Sequence, residues 1–324
     1  MKIGGGMIKV TDLAYGRLAA PDLDRMEEFL VDFGMVRADR TKNALYMRGT
    51  DGDHHLHVTE LGEPSHIGMA WWARSYDDLE KISKAPGASE IHEIDEPGGG
   101  SRVTLTDPDG RIIEVIYGLE NLDDLEVRDV LINTGKNKNL RTDLQRVSLN
   151  PGKSSLVKRS AHVVVKTKDL VKFNKWYQST LGLATTDSVK SGEDESVDMM
   201  TFNHIDAGQA YVDHHVLLGI QSDHAEFNHL SFEVADFDDV QTGHNYLKSK
   251  GYKHAWGIGR HMLGSQIYDY WRDPWGRIHE HWTDGDVVNS KHTAQRWDMP
   301  VGLNSQWGPD ISEDFLDDPH LHAL

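Results

Sequence analysis

The sequence predicts an α+β protein built as two tandem copies of one unit, and three observations carry this. The pattern Asp-Pro-x-Gly-Arg-Ile-x-Glu occurs twice, at residues 107–114 and 273–280. Other segments run in the same order around it. Ala14-Tyr15, Asp22-Leu23 and Phe33-Gly34-Met35 parallel Ala161-His162, Asp169-Leu170 and Leu181-Gly182-Leu183, while Ser65-His66-Ile67 parallels Asn228-His229-Leu230. Finally, β-branched or alternating runs exchange with helix-periodic ones, so each half reads strand, helix, several strands, a His-led strand, helix, and a hairpin closing on Glu. The halves meet in a polar stretch between Thr134 and Pro151.

The elements follow in order. Residues 21–34 and 76–85 are the helices of the first half. In 169–182, Leu170, Phe173, Trp176, Tyr177 and Leu181 share one helical face, with Asp169 placed to cap and Gly182 to stop it. Residues 235–251 repeat the scheme between Asp236 and Gly251. Strands are expected at 161–166, 212–220, 229–234 and 267–272 from their β-branched, aromatic or alternating content. The tail, 287–324, has no clear period, but Trp297, Pro300, Trp307 and Phe315 suit a segment draped over a domain.

The 324 residues carry 34 Lys and Arg against 52 Asp and Glu, a net charge of −18. No basic run is long enough to track phosphates, which argues against nucleic acid and anionic membranes as partners. There is no Cys, so disulfides, thiolate ligands and thiol nucleophiles are excluded. A metal site must then be built from nitrogen and oxygen, a donor set for Fe(II), Mn(II) or a His/carboxylate zinc centre. The N-terminus lacks an apolar signal core and no run approaches a membrane span. The expectation is a cytoplasmic protein.

The chemistry concentrates in the second half. After the Asp273-Pro274-Trp275-Gly276 turn, Ile278, Glu280 and Trp282 alternate onto one strand face. A carboxylate between apolar neighbours on an inward face needs an ion pair, hydrogen bonds or a metal. His162 and His229 each lead a strand. Two histidines and one carboxylate from separate strands make a facial set that leaves half of a six-coordinate ion open to reactants. The matching first-half residues read Tyr15, His66 and Glu114, so one ligand is missing there and only the second half holds a complete set. His214 and His215 are adjacent on an expected strand and should face opposite ways.

The run Gly259-Arg260-His261, Tyr270, Asp273-Pro274-Trp275-Gly276 and Glu280 resembles the C-terminal signature of the type I extradiol ring-cleavage dioxygenases of the vicinal oxygen chelate superfamily. Asp269 departs from it, since an apolar residue usually precedes the Tyr. The likeness runs through both halves. It implies four βαβββ modules in two tandem domains, each an open β-barrel or funnel with outer helices: a vestigial domain at 1–148, a metal-binding catalytic domain at 149–290, and a tail at 291–324 packing on them. Carried over residue by residue, the metal ligands fall on His162, His229 and Glu280, with Fe(II) as the metal and Mn(II) as its alternative. The acid–base histidine falls on His215. His261 and Tyr270 match the residues that hydrogen-bond oxygen, substrate or intermediate. His214 and Trp256 are candidates for contacting substrate.

The resemblance implies cleavage of a substituted catechol by O2 to a muconic semialdehyde-type product, in a homo-oligomer. Two further readings stand beside it: a metal-dependent isomerase or transferase of the same superfamily, and a non-catalytic binding protein of that fold. The tail segment 303–309 with Asp314-Phe315 resembles tails of enzymes acting on trihydroxytoluene or dihydroxy-p-cumate. Arg260 and Arg296 leave a carboxylated catechol open.

Overall fold

The computed structural model describes residues 6–128, 130–142, 154–192, 194–312 and 315. The expected domain boundary at 148/149 and Asp314 of the tail lie outside the described residues.

The first half runs β1 (Leu13–Ala20), α1 (Leu23–Phe33), β2 (Val36–Arg40), β3 (Ala44–Arg48) and β4 (His57–Leu61). It continues with β5 (Ser65–Trp72), α2 (Tyr76–Ile82), β6 (His92–Glu93), β7 (Ser101–Thr106) and β8 (Ile112–Tyr117). The second half begins with β9 (Val157–Thr167), α3 (Leu170–Leu181), β10 (Leu183–Lys190), β11 (Asp198–Ile205), β12 (Val212–Asp213) and β13 (Leu217–Gln221). Then come β14 (Glu226–Val234), α4 (Phe237–Ser249), β15 (His254–His261), β16 (Ile267–Arg272) and β17 (Ile278–Thr283). The tail adds β18 (Val287–Val288), β19 (Gln295–Trp297), α5 (Met299–Leu303) and β20 (Ser305–Trp307).

Setting aside the short β12, each half is strand–helix–three strands, twice. Both sheets are mixed. The first orders its strands β2-β3-β4-β1-β5-β8-β7-β6, and the second β19-β10-β11-β13-β9-β14-β17-β16-β15-β20. In each, the leading strands of the two modules pair antiparallel at the centre, β1 with β5 and β9 with β14, and each runs parallel to the last strand of its own module. This is the two-domain α+β fold expected.

Local chemistry sets the helices. Asp22 accepts hydrogen bonds from the Asp24 and Arg25 amides, Asp169 from Lys172 and Asp236 from Asp239, each satisfying first-turn N–H groups. Gly34 ends α1 at φ 109°, a left-handed cap that other residues adopt at a cost. A Cβ there would also stand 2.1 Å from the Ser155 carbonyl oxygen of the other half. The apolar faces of α1 and α3 bury Met26, Phe29, Phe33, Phe173, Tyr177 and Leu181 in one core spanning both sheets. Removing such side chains from water contributes ~1.5–3 kcal/mol each.

Residues 212–220 differ from the single strand expected. They break into β12 and β13, and residues 214–216 lie in the break. The tail pairs at both edges of the second sheet, β19 with β10 and β20 with β15. Among the described residues no helix is long and apolar enough to cross a membrane.

Candidate metal centre

β9 and β17 flank β14, so one residue of β14 pairs with both. Ser231 faces His162 on one side and Glu280 on the other. His229 stands two residues earlier on the same face of β14. The three side chains converge, with one donor atom from each lying within 4.8 Å of the others. His162 Nε2 is 2.9 Å and His229 Nε2 3.6 Å from Glu280 Oε2, and the two nitrogens are 3.4 Å apart.

Glu280 is fully buried, yet neither of its oxygens receives an aligned hydrogen bond. The imidazole nitrogens approach closely without pointing an N–H at it. Burial alone would raise the carboxyl, but the neighbouring His162, His261 and His229 outweigh it and hold Glu280 well below the usual range. An ionised, buried and unsatisfied carboxylate facing two imidazole nitrogens is costly unless a cation completes it. The donor set of two nitrogens and one oxygen therefore fits a divalent transition metal.

Neighbouring residues orient these side chains. His229 Nδ1 lies 2.6 Å from Asn228 Oδ1, which can only accept there, so the proton sits on Nδ1 and the Nε2 lone pair faces Glu280. Asn228 Nδ2 in turn donates to the Phe315 carbonyl at 3.3 Å. Burial lowers His229 to about 3, keeping it neutral.

His215 packs on His162, with ring centroids 4.3 Å apart, and burial takes it well below an ordinary histidine. It is thus a neutral imidazole at the cavity wall. His261 Nε2 and the Tyr270 hydroxyl are 2.8 Å apart, and His261 Nε2 lies 3.9 Å from Glu280 Oε1. Burial lowers His261, and burial with the nearby Glu280 raises Tyr270 well above the ordinary phenol. Trp256 lies parallel to Tyr270 at 5.6 Å and donates to the Pro309 carbonyl of the tail.

His162, His229, His215, His261, Tyr270 and Trp256 all line one cavity of about 630 Å³, open mouth included. Its other walls come from β9, β11, β13 and the tail. β11 and β16 are far apart in the strand order, so the second sheet curls around the cavity. His214 is not among the lining residues. It lies in the break between β12 and β13, with Nε2 3.1 Å from Asp187 and Nδ1 3.2 Å from His215 Nδ1. The two rings touch rather than pointing to opposite faces, because no regular strand carries them.

The first half corrects one pairing. Ala70 pairs with both Tyr15 and Glu114, as Ser231 does with His162 and Glu280. The counterpart of His229 is therefore Gly68, not His66. A Cβ on Gly68 would stand 1.9 Å from the Ile112 carbonyl oxygen. His66 instead stacks on Phe227, its true counterpart, at 4.6 Å. Two ligands are missing there, not one. Glu114 is satisfied instead by Tyr15 at 2.7 Å, Arg17 at 3.2 Å and Arg102 at 2.7 Å, so guanidinium groups replace an ion.

Asn228, Met200 and Phe202 were not singled out from the sequence. Asp53-His54-His55 repeats Asp213-His214-His215 in the sequence. His55 packs on Tyr15 at 4.7 Å as His215 does on His162. A second group, His244, His254 and Asp269, clusters behind β16. Its Asp269 is satisfied by both histidines and the Trp271 indole N–H, unlike Glu280.

Comparison with known proteins agrees with this fold. Residues 159–278 match the glyoxalase/bleomycin resistance protein/dioxygenase superfamily model. Metapyrocatechase 2 of Cupriavidus necator is 29% identical over 92% of this chain and 89% of its own length. An iron-dependent extradiol dioxygenase of Rhodococcus jostii (strain RHA1) is 24% identical over 94% and 98%. In fold, the chain is similar to homoprotocatechuate 2,3-dioxygenase from Brevibacterium fuscum in complex with 3,4-dihydroxyphenylacetate. That TM-score is 0.78 at 18% identity, covering 98% and 94% of the chains. The Mn(II)-bound glyoxalase from Novosphingobium aromaticivorans gives 0.75 at 22%, covering 94% and 93%. The chain is extradiol dioxygenase-like, similar to these relatives over most of its length.

Proposed function

We propose that the protein is a non-haem Fe(II) extradiol dioxygenase that opens the ring of a substituted catechol with O2. Both oxygen atoms would end in a muconic semialdehyde-type product. The observation that carries this reading is the buried, unsatisfied Glu280 facing the Nε2 atoms of His162 and His229. The iron-dependent extradiol relative supports the choice of metal, with Mn(II) as the alternative for the same donors.

His162, His229 and Glu280 would hold the ion on one face. When bound, it supplies adjacent sites at which diol and O2 meet and exchange charge. The chain's own residues do the rest. Neutral His215 accepts a phenolic proton at a ring nitrogen and returns it later. Tyr270 and His261 donate hydrogen bonds to oxygen charge developing on the reactants. The apolar walls and the tail keep water out, which strengthens each of these interactions.

Anaerobic Fe(II) reconstitution followed by a panel of catechols tests the reading. Equimolar O2 uptake with a yellow visible band is expected. Iron binding without either signal would move the assignment to an isomerase or transferase of the superfamily.

A further inference from the structure

The cavity has two ends of different chemistry. At one end stand His162, His229, His215, His261 and Tyr270. At the other, Val164, Leu218 and Ile220 cluster with Met200 and Phe202, and the tail adds Leu303 to that cluster, while its Ile311 and Phe315 pack with Trp256 and Tyr270. No Lys or Arg lines it.

The nearby cations are already committed. Arg260 is held by Asp284 and the Ser265 carbonyl. Arg296 is paired with Asp198 and partly exposed. Lys166, two residues beyond Val164, is paired with Glu226 at 2.9 Å. The chain as a whole carries −18 and so repels anions at a distance.

On this basis we infer that the apolar end is a subsite for an uncharged hydrophobic ring substituent, and that the C-terminal tail forms one of its walls. The inference rests on the extradiol reading and narrows its substrate to catechols bearing an alkyl or aryl group rather than a carboxylate. A carboxylate entering this end gives up its water and meets no cation, a costly exchange. An alkyl chain gains contact with Met200, Phe202, Leu218 and Leu303, where each methylene-sized contact is worth about 10- to 200-fold in discrimination. The ligand 3,4-dihydroxyphenylacetate, bound by the Brevibacterium fuscum neighbour, bears a carboxylate that this end has nothing to pair with.

The test uses the Fe(II)-loaded full chain under anaerobic titration calorimetry, so that binding is read without turnover. The ligands are catechol, 3- and 4-propylcatechol, 3,4-dihydroxybenzoate and 3,4-dihydroxyphenylacetate. The better propylcatechol should bind about 100-fold or more tightly than either acid, with catechol between them. If the acids bind within about threefold of it or better, the subsite is wrong and the extradiol reading stands. If no diol binds at all, the extradiol reading falls and takes the subsite with it.

Leu303→Arg, at a part-exposed position of α5, tests the tail wall. It should narrow the preference by about tenfold, the lower size of one such contact. An unchanged ratio would remove the tail from the subsite. Should that variant not fold, Leu303→Ala reads the same ratio, and it should lower the propylcatechol preference by about tenfold.

Discussion

Arg111 and Arg277 cross between the two sheets in opposite directions. Arg277, anchored by Asp273 at 2.7 Å, donates to the carbonyls of Ala19 and Ser65. Arg111, anchored by Asp107 at 2.9 Å, donates to those of Lys166 and Glu226. Ala19 pairs with Ser65, and Lys166 with Glu226. Each arginine therefore grips the paired central strands of the opposite sheet. The repeated Asp-Pro-x-Gly-Arg turn is a reciprocal staple, which explains its presence in a half without a complete ligand set. Truncating Arg277 leaves a buried Asp273 and two carbonyls without their partner. Arg277→Ala should cost about 3–5 kcal/mol in urea unfolding. A loss under about 1 kcal/mol, the scale of a surface pair, would show the staple idle.

Glu280→Gln keeps the size of the side chain and removes its charge. The buried pocket then needs no counter-ion, so the folded protein should survive while its iron affinity drops more than about 100-fold. Metal analysis after Fe(II) loading and desalting, with circular dichroism alongside, reads both. Full iron occupancy in a folded Glu280→Gln protein would remove Glu280 from the ligand set.

His215→Ala separates proton transfer from metal binding. The ring lines the cavity beside His162 but its nitrogens are not among the three converging donors. Iron content should stay at the wild-type level, and kcat should fall about 10²- to 10⁴-fold, the usual worth of a general acid–base group. Near-normal turnover would reduce His215 to a packing residue, the role its counterpart His55 fills against Tyr15.

Much of this was legible in the sequence because repeated turn chemistry and strand-leading histidines survive at fixed spacing. The helices, their Asp caps, and the convergence of His162, His229 and Glu280 follow from such local signals. The His66 pairing did not, because the shared His draws Ser65-His66-Ile67 onto Asn228-His229-Leu230, two residues away from the ladder register in which Gly68 stands where His229 does. Local likeness along one strand carries no record of its register with the neighbouring strand. The break holding His214 and His215 was invisible for a related reason, since Val212 to Ile220 satisfies a strand pattern while the Thr186 hydroxyl donates to the His214 carbonyl that a ladder would use.

Buried neutral histidines set the acid limit of stability. Burial lowers His204 to about 4 and His66 to about 3, from about 6.5 in an unfolded chain. Below pH about 6.5 the unfolded state takes up protons that the folded state refuses, so stability is fully present above that pH and lost as it falls toward about 4. Each such group contributes up to about 1.4 kcal/mol per pH unit in that window. Urea titrations at pH 7 and 5 should show His204→Asn losing about 1–2 kcal/mol less between the two than wild type. Equal losses would mean that His204 takes up its proton in the folded state as well.

Asn228 links the tail to the candidate metal centre. Its amide oxygen accepts a hydrogen bond from His229 Nδ1–H and its amide nitrogen donates to the Phe315 carbonyl, so the tail fixes which way the amide faces. Flipped, Asn228 would present N–H to N–H, and His229 would lose the tautomer that leaves Nε2 free. Asn228→Ala should therefore weaken iron binding about 10- to 100-fold, the effect of losing a partner that orients a ligating imidazole. Asn228→Asp keeps an acceptor for Nδ1 and should recover most of that loss. Ending the chain before Phe315 frees the amide to flip and should fall between the two. Competition with a chromophoric chelator measures all three, with circular dichroism as the fold control. A purely structural Asn228 would give equal losses in the Ala and Asp variants, and that pattern would break the link between tail and metal.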